Sequence, residues 1–155
     1  MSEVVITGAA RTAMGGLQGA LAPLPASELG GAAMAAALAE AGRPEVDEVV
    51  MGCVLPAGQG QAPARQAGFA AGLGEEVPAT TLNKMCGSGM KAAMIAHDQI
   101  ALGQARVMVA GGMESMSRAP YLLPAMRGGA RLGHQQAVDF TRESPDVQAL
   151  PVYRE

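Results

Sequence analysis

The chain has no tryptophan, two phenylalanines and two tyrosines among 155 residues. A core without large rings must be filled by small and flexible side chains. Base-stacking surfaces are scarce, the net charge is −3, and no basic stripe stands out, so nucleic acid is excluded as an expected partner. Only two cysteines occur, Cys53 and Cys86. That is too few for a disulfide framework, and no cluster has metal-ligand spacing, so no metal is expected. A reducing compartment is the simpler reading. No apolar run approaches the ~18 residues of a membrane span. The opening MSEVVITGAA lacks a basic stretch followed by a long apolar one, so no secretory signal is expected. These absences point to a cytoplasmic protein that does not enter membranes. What is abundant is alanine, methionine and 21 glycines, within a hydrophobic fraction of 49%. Such a composition favours close approach of backbone to backbone.

Along the chain, strand and helix signals alternate. Glu3 to Thr7 is β-branched and ends at Gly8. Pro25-Ala26-Ser27-Glu28 opens a helix with Ser27 as its N-cap, and Leu29, Ala33, Ala36 and Ala37 form its apolar face. Gly42 and Pro44 close it. Glu48 to Leu55 reads as a strand, followed by a Gly-rich loop. Pro63 starts a short helix reaching about Leu73, and Pro78 to Leu82 is a third strand. A helix from Cys86 to Leu102 is apolar on nearly every side, which predicts a buried central element. Arg106 to Ala110 is a fourth strand ended by Gly111-Gly112. Alternation of this kind implies an α/β fold: a mostly parallel sheet with helices on both faces. Beyond Met113 the periodicity fades into a loop region.

The informative stretch is Asn83-Lys84-Met85-Cys86-Gly87-Ser88-Gly89-Met90. A strand ends, and a cysteine stands at the turn into a helix. There the sulfur faces backbone N–H groups and the positive end of the helix dipole, surroundings typical of nucleophilic thiols. Gly87 and Gly89 leave room for a substrate against the backbone. An isolated cysteine is more often an inert filler; the turn sets Cys86 apart.

The run Asn-Lys-x-Cys-Gly-Ser-Gly-x-Lys-Ala resembles the nucleophile motif of thiolases, especially the acetoacetyl-CoA type. Arg11-Thr12-Ala13-Met14-Gly15-Gly16 resembles the loop after that family's first strand. Gly60-Gln61-Ala62-Pro63-Ala64-Arg65-Gln66-Ala67 is similar to its Gly-Gln-Asn-Pro-Ala-Arg-Gln-Ala segment, and Gly111-Gly112-Met113-Glu114-Ser115-Met116-Ser117 to its Gly-Gly-Met-Glu-x-Met-Ser motif. Ala119-Pro120-Tyr121 and Arg131-Leu132-Gly133-His134 continue the likeness in family order. The resemblance implies a layered thiolase-like fold and acyl transfer between coenzyme A thioesters, which are substrates, with no cofactor. Cys86 is then the acyl acceptor, its own N–H stabilising the oxyanion. Asn83, Gly87 and Gly89 shape the turn. Met113 and Ser115 lie at strand ends around the active-site floor, with plain packing as their alternative. A homo-oligomer, or association with thiolase subunits, is the implied quaternary state.

Two departures qualify the likeness. Ala62 replaces the family's Asn, which implies a weaker loop hydrogen bond. The family's later Asn, its His in a Gly-His-Pro setting and its second Cys in a Cys-x-Gly setting have no counterparts here. The expected organisation is an incomplete first half-domain over 1–118, the start of a loop domain over 119–139 and a divergent tail over 140–155. A change of reading frame or of splicing near Asp139 would account for that tail, and downstream sequencing would test it. The sheet is expected to be left with an uncovered edge and uncovered helix faces. Local substitutes for the missing groups are poor. Cys53 reads as packing, His97 as a core or interface histidine, His134 as a surface or subunit contact, and Lys91 as solvated. Two other readings remain: a non-catalytic fragment that binds thiolase subunits or acyl-CoA, and a condensing-enzyme relative acting on carrier-protein thioesters.

Overall fold

The computed structural model describes residues 3–141. The expected divergent tail therefore falls almost entirely outside the described residues.

Three parallel strands form the main sheet in the order β2-β1-β3. They are β1 (Glu48–Gly52), β2 (Ala79–Leu82) and β3 (Met108–Gly112). Val49 pairs with both Ala79 and Val109, so β1 is the centre of the sheet. Its residues are nearly all buried, the pattern of a parallel strand covered on both faces. Val49, Met51 and Cys53 point into a core shared with helices α1 (Ala26–Glu40) and α2 (Pro63–Ala70). On the opposite pleat, Gly52 lies against Ser88 at the start of helix α3 (Ser88–Ala101). Helices thus cover both faces, as the alternating pattern predicts.

Close approach depends on glycine at a few positions. A Cβ on Gly31 of α1 would lie 2.5 Å from the Ala70 Cβ of α2. A Cβ on Gly52 would lie 2.5 Å from the Ser88 Cβ, a separation that real side chains do not show. These contacts let alanine-rich helices pack tightly enough to build a core that, among the described residues, holds no buried aromatic ring.

Several expectations are corrected. Glu3 to Thr7 is not a strand, and Ile6 is 88% exposed. A strand is stabilised by a ladder partner, and this segment pairs with none of β1, β2 and β3. The N-terminal segment instead meets the end of α1, where Gly8 abuts Ala37 and Ala41 and the Ala9 N–H donates to Glu40 Oε2 at 2.9 Å. Ser27 is not the N-cap of α1: Pro25 holds that position, and Ser27 is buried in the first turn. The buried face of α1 is Ala26, Ser27, Gly30, Gly31, Met34 and Leu38, not the face through Leu29, Ala33, Ala36 and Ala37. With small residues on every side, composition alone does not distinguish the faces. Helix α3 is also not buried all round. Ser88, Ala92 and Ala96 face the sheet, whereas Met90 is 75% exposed and His97 lies in solvent beside Asp98. Strand β1 ends earlier than expected, and β3 runs on to include both glycines.

Beyond β3 the chain forms a short 3-10 turn (Met116–Arg118) and a small antiparallel pair, β4 (Tyr121–Leu122) with β5 (Val138–Asp139). A second 3-10 turn, Pro124–Gly128, lies between these two strands. Among the described residues no helix is long and apolar enough to cross a membrane.

Candidate functional site

Cys86 is exposed, two residues before the first residue of α3. The turn that carries it is built from β2 outward. Asn83 follows directly on β2; its side-chain amide donates to the Val54 carbonyl at 3.2 Å, tying the turn to the chain after β1. Its Oδ1 accepts the Met85 N–H at 2.9 Å. Met85 has φ 48, in the left-handed region that side-chain-bearing residues rarely occupy. The Gly87 N–H then donates to the Lys84 carbonyl at 3.1 Å, and the Lys91 N–H to the Gly87 carbonyl at 2.9 Å, which starts the helix.

Gly89 seats the first turn of α3 on β3. A Cβ there would lie 3.5 Å from the Gly112 N, and a Cβ on Gly112 would lie 3.3 Å from the Gly89 Cα. Asn83, Cys86, Gly87 and Gly89 are therefore gathered into one short turn at the C-terminal edge of the sheet. Ligand sites of open α/β sheets characteristically occupy that edge.

Met113 and Ser115 follow the end of β3; the Met113 N–H donates to the Gly52 carbonyl of β1 at 2.9 Å, while both side chains turn towards α1 and the residues before it. Met113 is buried in the core, and a Cβ on Gly30 would lie 2.6 Å from its sulfur. Ser115 Oγ donates to the Leu24 carbonyl at 2.8 Å. Ser115 also lines a cavity of about 260 Å³ with Leu55, Gln59, Gln66 and Arg118, and Cys86 is not part of its wall.

Cys53 belongs to a separate, buried cluster. Its thiol donates to Glu114 Oε1 at 3.7 Å and accepts from Gln59 Nε2 at 3.4 Å. Burial pushes this thiol up to about 11, and the neighbouring Glu114 carboxylate adds to the effect. A thiol kept protonated is a poor nucleophile, so the packing role expected for Cys53 holds. Glu114 also accepts the Val54 N–H at 2.8 Å and the Leu55 N–H at 3.1 Å, so it ends β1 and joins it to the loop after β3.

Two contributors escaped the sequence reading. One is Glu114, noted only as part of a motif. The other is Ser88, whose hydroxyl accepts the Lys84 N–H at 2.8 Å and donates to the Met85 carbonyl at 2.6 Å. The signal for Ser88 was its place two residues after the cysteine, at the start of a helix. Among the described residues no group of three or more His, Cys, Asp or Glu side chains could hold a metal.

Residues 4–150 match the family described as thiolase, N-terminal domain. The chain belongs to the thiolase family. The match includes part of the 140–155 segment. An acetyl-CoA acetyltransferase of Cupriavidus necator is 55% identical over 141 residues, covering 90% of this chain and 36% of the relative. A mitochondrial acetyl-CoA acetyltransferase of Xenopus tropicalis is 56% identical over 142 residues, covering 90% and 33%. Acetyl-CoA acetyltransferase 2 of Arabidopsis thaliana is 55% identical over 139 residues, covering 88% and 34%. The chain thus spans about a third of the length of these thiolases.

Proposed function

We propose that this thiolase segment carries the acyl-accepting step of an acetyl-CoA acetyltransferase, with Cys86 as the nucleophile. The carrying observation is an exposed thiol on a pinned turn at the start of α3. In this step the Cys86 thiolate attacks the carbonyl carbon of an acyl-CoA. A carbon–sulfur bond forms, a tetrahedral oxyanion develops, and the bond to coenzyme A breaks as its thiolate leaves. The Cys86 N–H stabilises the oxyanion. Asn83, Gly87 and Gly89 hold that geometry, and Met113 and Ser115 brace the floor from the α1 side.

Carbon–carbon bond formation, or thiolysis of a 3-ketoacyl-CoA, further requires a base that acts on carbon. The family's base motif is absent from these 155 residues. Groups that act as a unit are strongly non-additive, so the chain alone is expected to accept an acyl group without turning over. No cofactor is involved; coenzyme A thioesters are substrates. The wider role is fatty acid metabolism in the cytoplasm, within a homo-oligomer or beside other thiolase subunits. Cell fractionation and size-exclusion chromatography test those two assignments.

The deciding measurement is intact mass after mixing the purified chain with acetyl-CoA, with Cys86→Ala as control. An acetyl adduct in the wild type alone supports the reading. A folded chain that gains no adduct refutes it and favours the second reading, in which a segment a third of its relatives' length binds thiolase subunits or acyl-CoA without chemistry.

A further inference from the structure

We propose that Ser88 is the positioning residue for Cys86: its hydroxyl pins the left-handed turn at Met85 and so sets the direction in which the thiol meets a thioester carbonyl. This rests on Cys86 being the acyl acceptor. Met85 has φ 48, a conformation that costs a residue with a Cβ free energy and persists only where neighbours over-determine it.

Ser88 supplies most of that determination. It is 5% exposed, and its Cβ sits where a side chain on Gly52 would have to go, so β1 holds it in place. A hydroxyl has one proton to give and lone pairs to accept with. Here the proton goes to the Met85 carbonyl at 2.6 Å, and a lone pair takes the Lys84 N–H at 2.8 Å. The Ser88 N–H also donates to the Met85 carbonyl at 3.0 Å. The hydroxyl therefore bridges the Asn83–Lys84 and Met85–Cys86 peptides, which enclose the residue with positive φ immediately before the nucleophile. Asn83 holds the Met85 N–H from the other side at 2.9 Å. Losing the Ser88 hydroxyl leaves the thiol exposed but lets the turn relax. Attack on a carbonyl, which needs oxyanion donors in register, suffers more than displacement at a simple alkyl halide.

The test compares two reagents on the full chain. S-phenyl thioacetate acylates thiols without needing a coenzyme A site: the thiolate takes the acetyl group and thiophenolate leaves. Iodoacetamide alkylates any accessible thiol with loss of iodide. Peptide mapping separates Cys86 from Cys53, whose labelling reports unfolding. In Ser88→Ala, acylation of Cys86 is expected to fall about tenfold while its alkylation stays within about twofold and Cys53 stays unlabelled. Adding Met85→Gly, which occupies the left-handed region without a Cβ, is expected to restore acylation to within about threefold of wild type.

Unchanged acylation, a parallel loss of both reactions with Cys53 still protected, or failure of Met85→Gly to restore the rate would overturn the proposal. Should Ser88→Ala expose Cys53, Met85→Val opposes the same turn with Ser88 intact. A tenfold loss of acylation alone then supports the assignment, and an unchanged ratio of the two reactions refutes it. Failure of the wild type to react with acetyl-CoA counts only against the proposed function, because phenyl thioacetate does not use that site.

Discussion

Ala62 stands at the N-cap of α2 with φ 49 and ψ 64, and its side chain is exposed. Its carbonyl accepts the N–H groups of Arg65 at 2.9 Å and Gln66 at 3.2 Å, so the residue cannot leave this conformation without losing the first turn of the helix. An L-residue with a Cβ loses about 1–2 kcal/mol in the left-handed region. Asparagine enters that region several-fold more readily than alanine, which converts to about 0.5–1 kcal/mol. The usual capping bond is not open to it here, because N-cap side chains reach the helix N–H groups from extended φ and ψ. Ala62→Asn is therefore expected to stabilise the fold by about 0.5–1 kcal/mol, a rise in Tm of about 1–4 °C for a chain of this size. Ala62→Gly gains less, because glycine's larger freedom in the unfolded chain offsets part of the relief. Ala62→Val is expected to lose about 1 kcal/mol, since a β-branched side chain is least tolerated at positive φ. Thermal melts followed by circular dichroism at 222 nm read the series. A Tm for Ala62→Asn equal to or below that of wild type, with Ala62→Val unaffected, would show that the left-handed conformation is not a constraint on this loop.

Three other outcomes follow from contacts around the sheet. The folded Cys53 thiol titrates near 11, above its unfolded value, so between about pH 9 and that point the folded chain binds more protons and stability falls as pH rises; Cys53→Ala should flatten the alkaline fall in Tm, and an unchanged slope would contradict the assignment. Glu114→Ala removes the acceptor of the Val54 and Leu55 N–H groups and should cost about 2–3 kcal/mol in urea unfolding, whereas a loss under 0.5 kcal/mol would mean that water replaces the carboxylate. Gly52→Ala places a Cβ 2.5 Å from that of Ser88 and should cost about 2–3 kcal/mol while slowing acetylation of Cys86; a melt and an adduct yield like those of wild type would show that α3 can move aside.

The elements legible in the sequence were those with local punctuation. Pro63 starts α2, Pro78 precedes β2, and the glycines around Cys86 mark the strand-to-helix turn. Asn83, Cys86, Gly87 and Gly89 could be grouped in advance because they share eight consecutive residues and their contacts are local. Glu114 could not be grouped with Cys53, because sixty-one positions separate them and only the pairing of β1 with β3 brings them together. The face of α1 was misread because alanine and glycine occur all round it. What selects Gly30 and Gly31 is the proximity of Met113 and Ala70, which no helical period encodes.

By itself the sequence determined the class of fold, the family, and the residue on which the proposed chemistry turns. Each depends on a pattern read over a few residues: alternation of strand and helix, and a cysteine between a strand and a glycine-flanked turn. Tertiary structure alone decided whether Glu3 to Thr7 became a strand, which side of α3 was covered, and that Met85 is held in a left-handed turn by Ser88 and Asn83. The physical reason is the same in each case. Ladder bonds, burial and backbone strain are properties of pairs of groups, and the partners are chosen by how the chain folds back on itself.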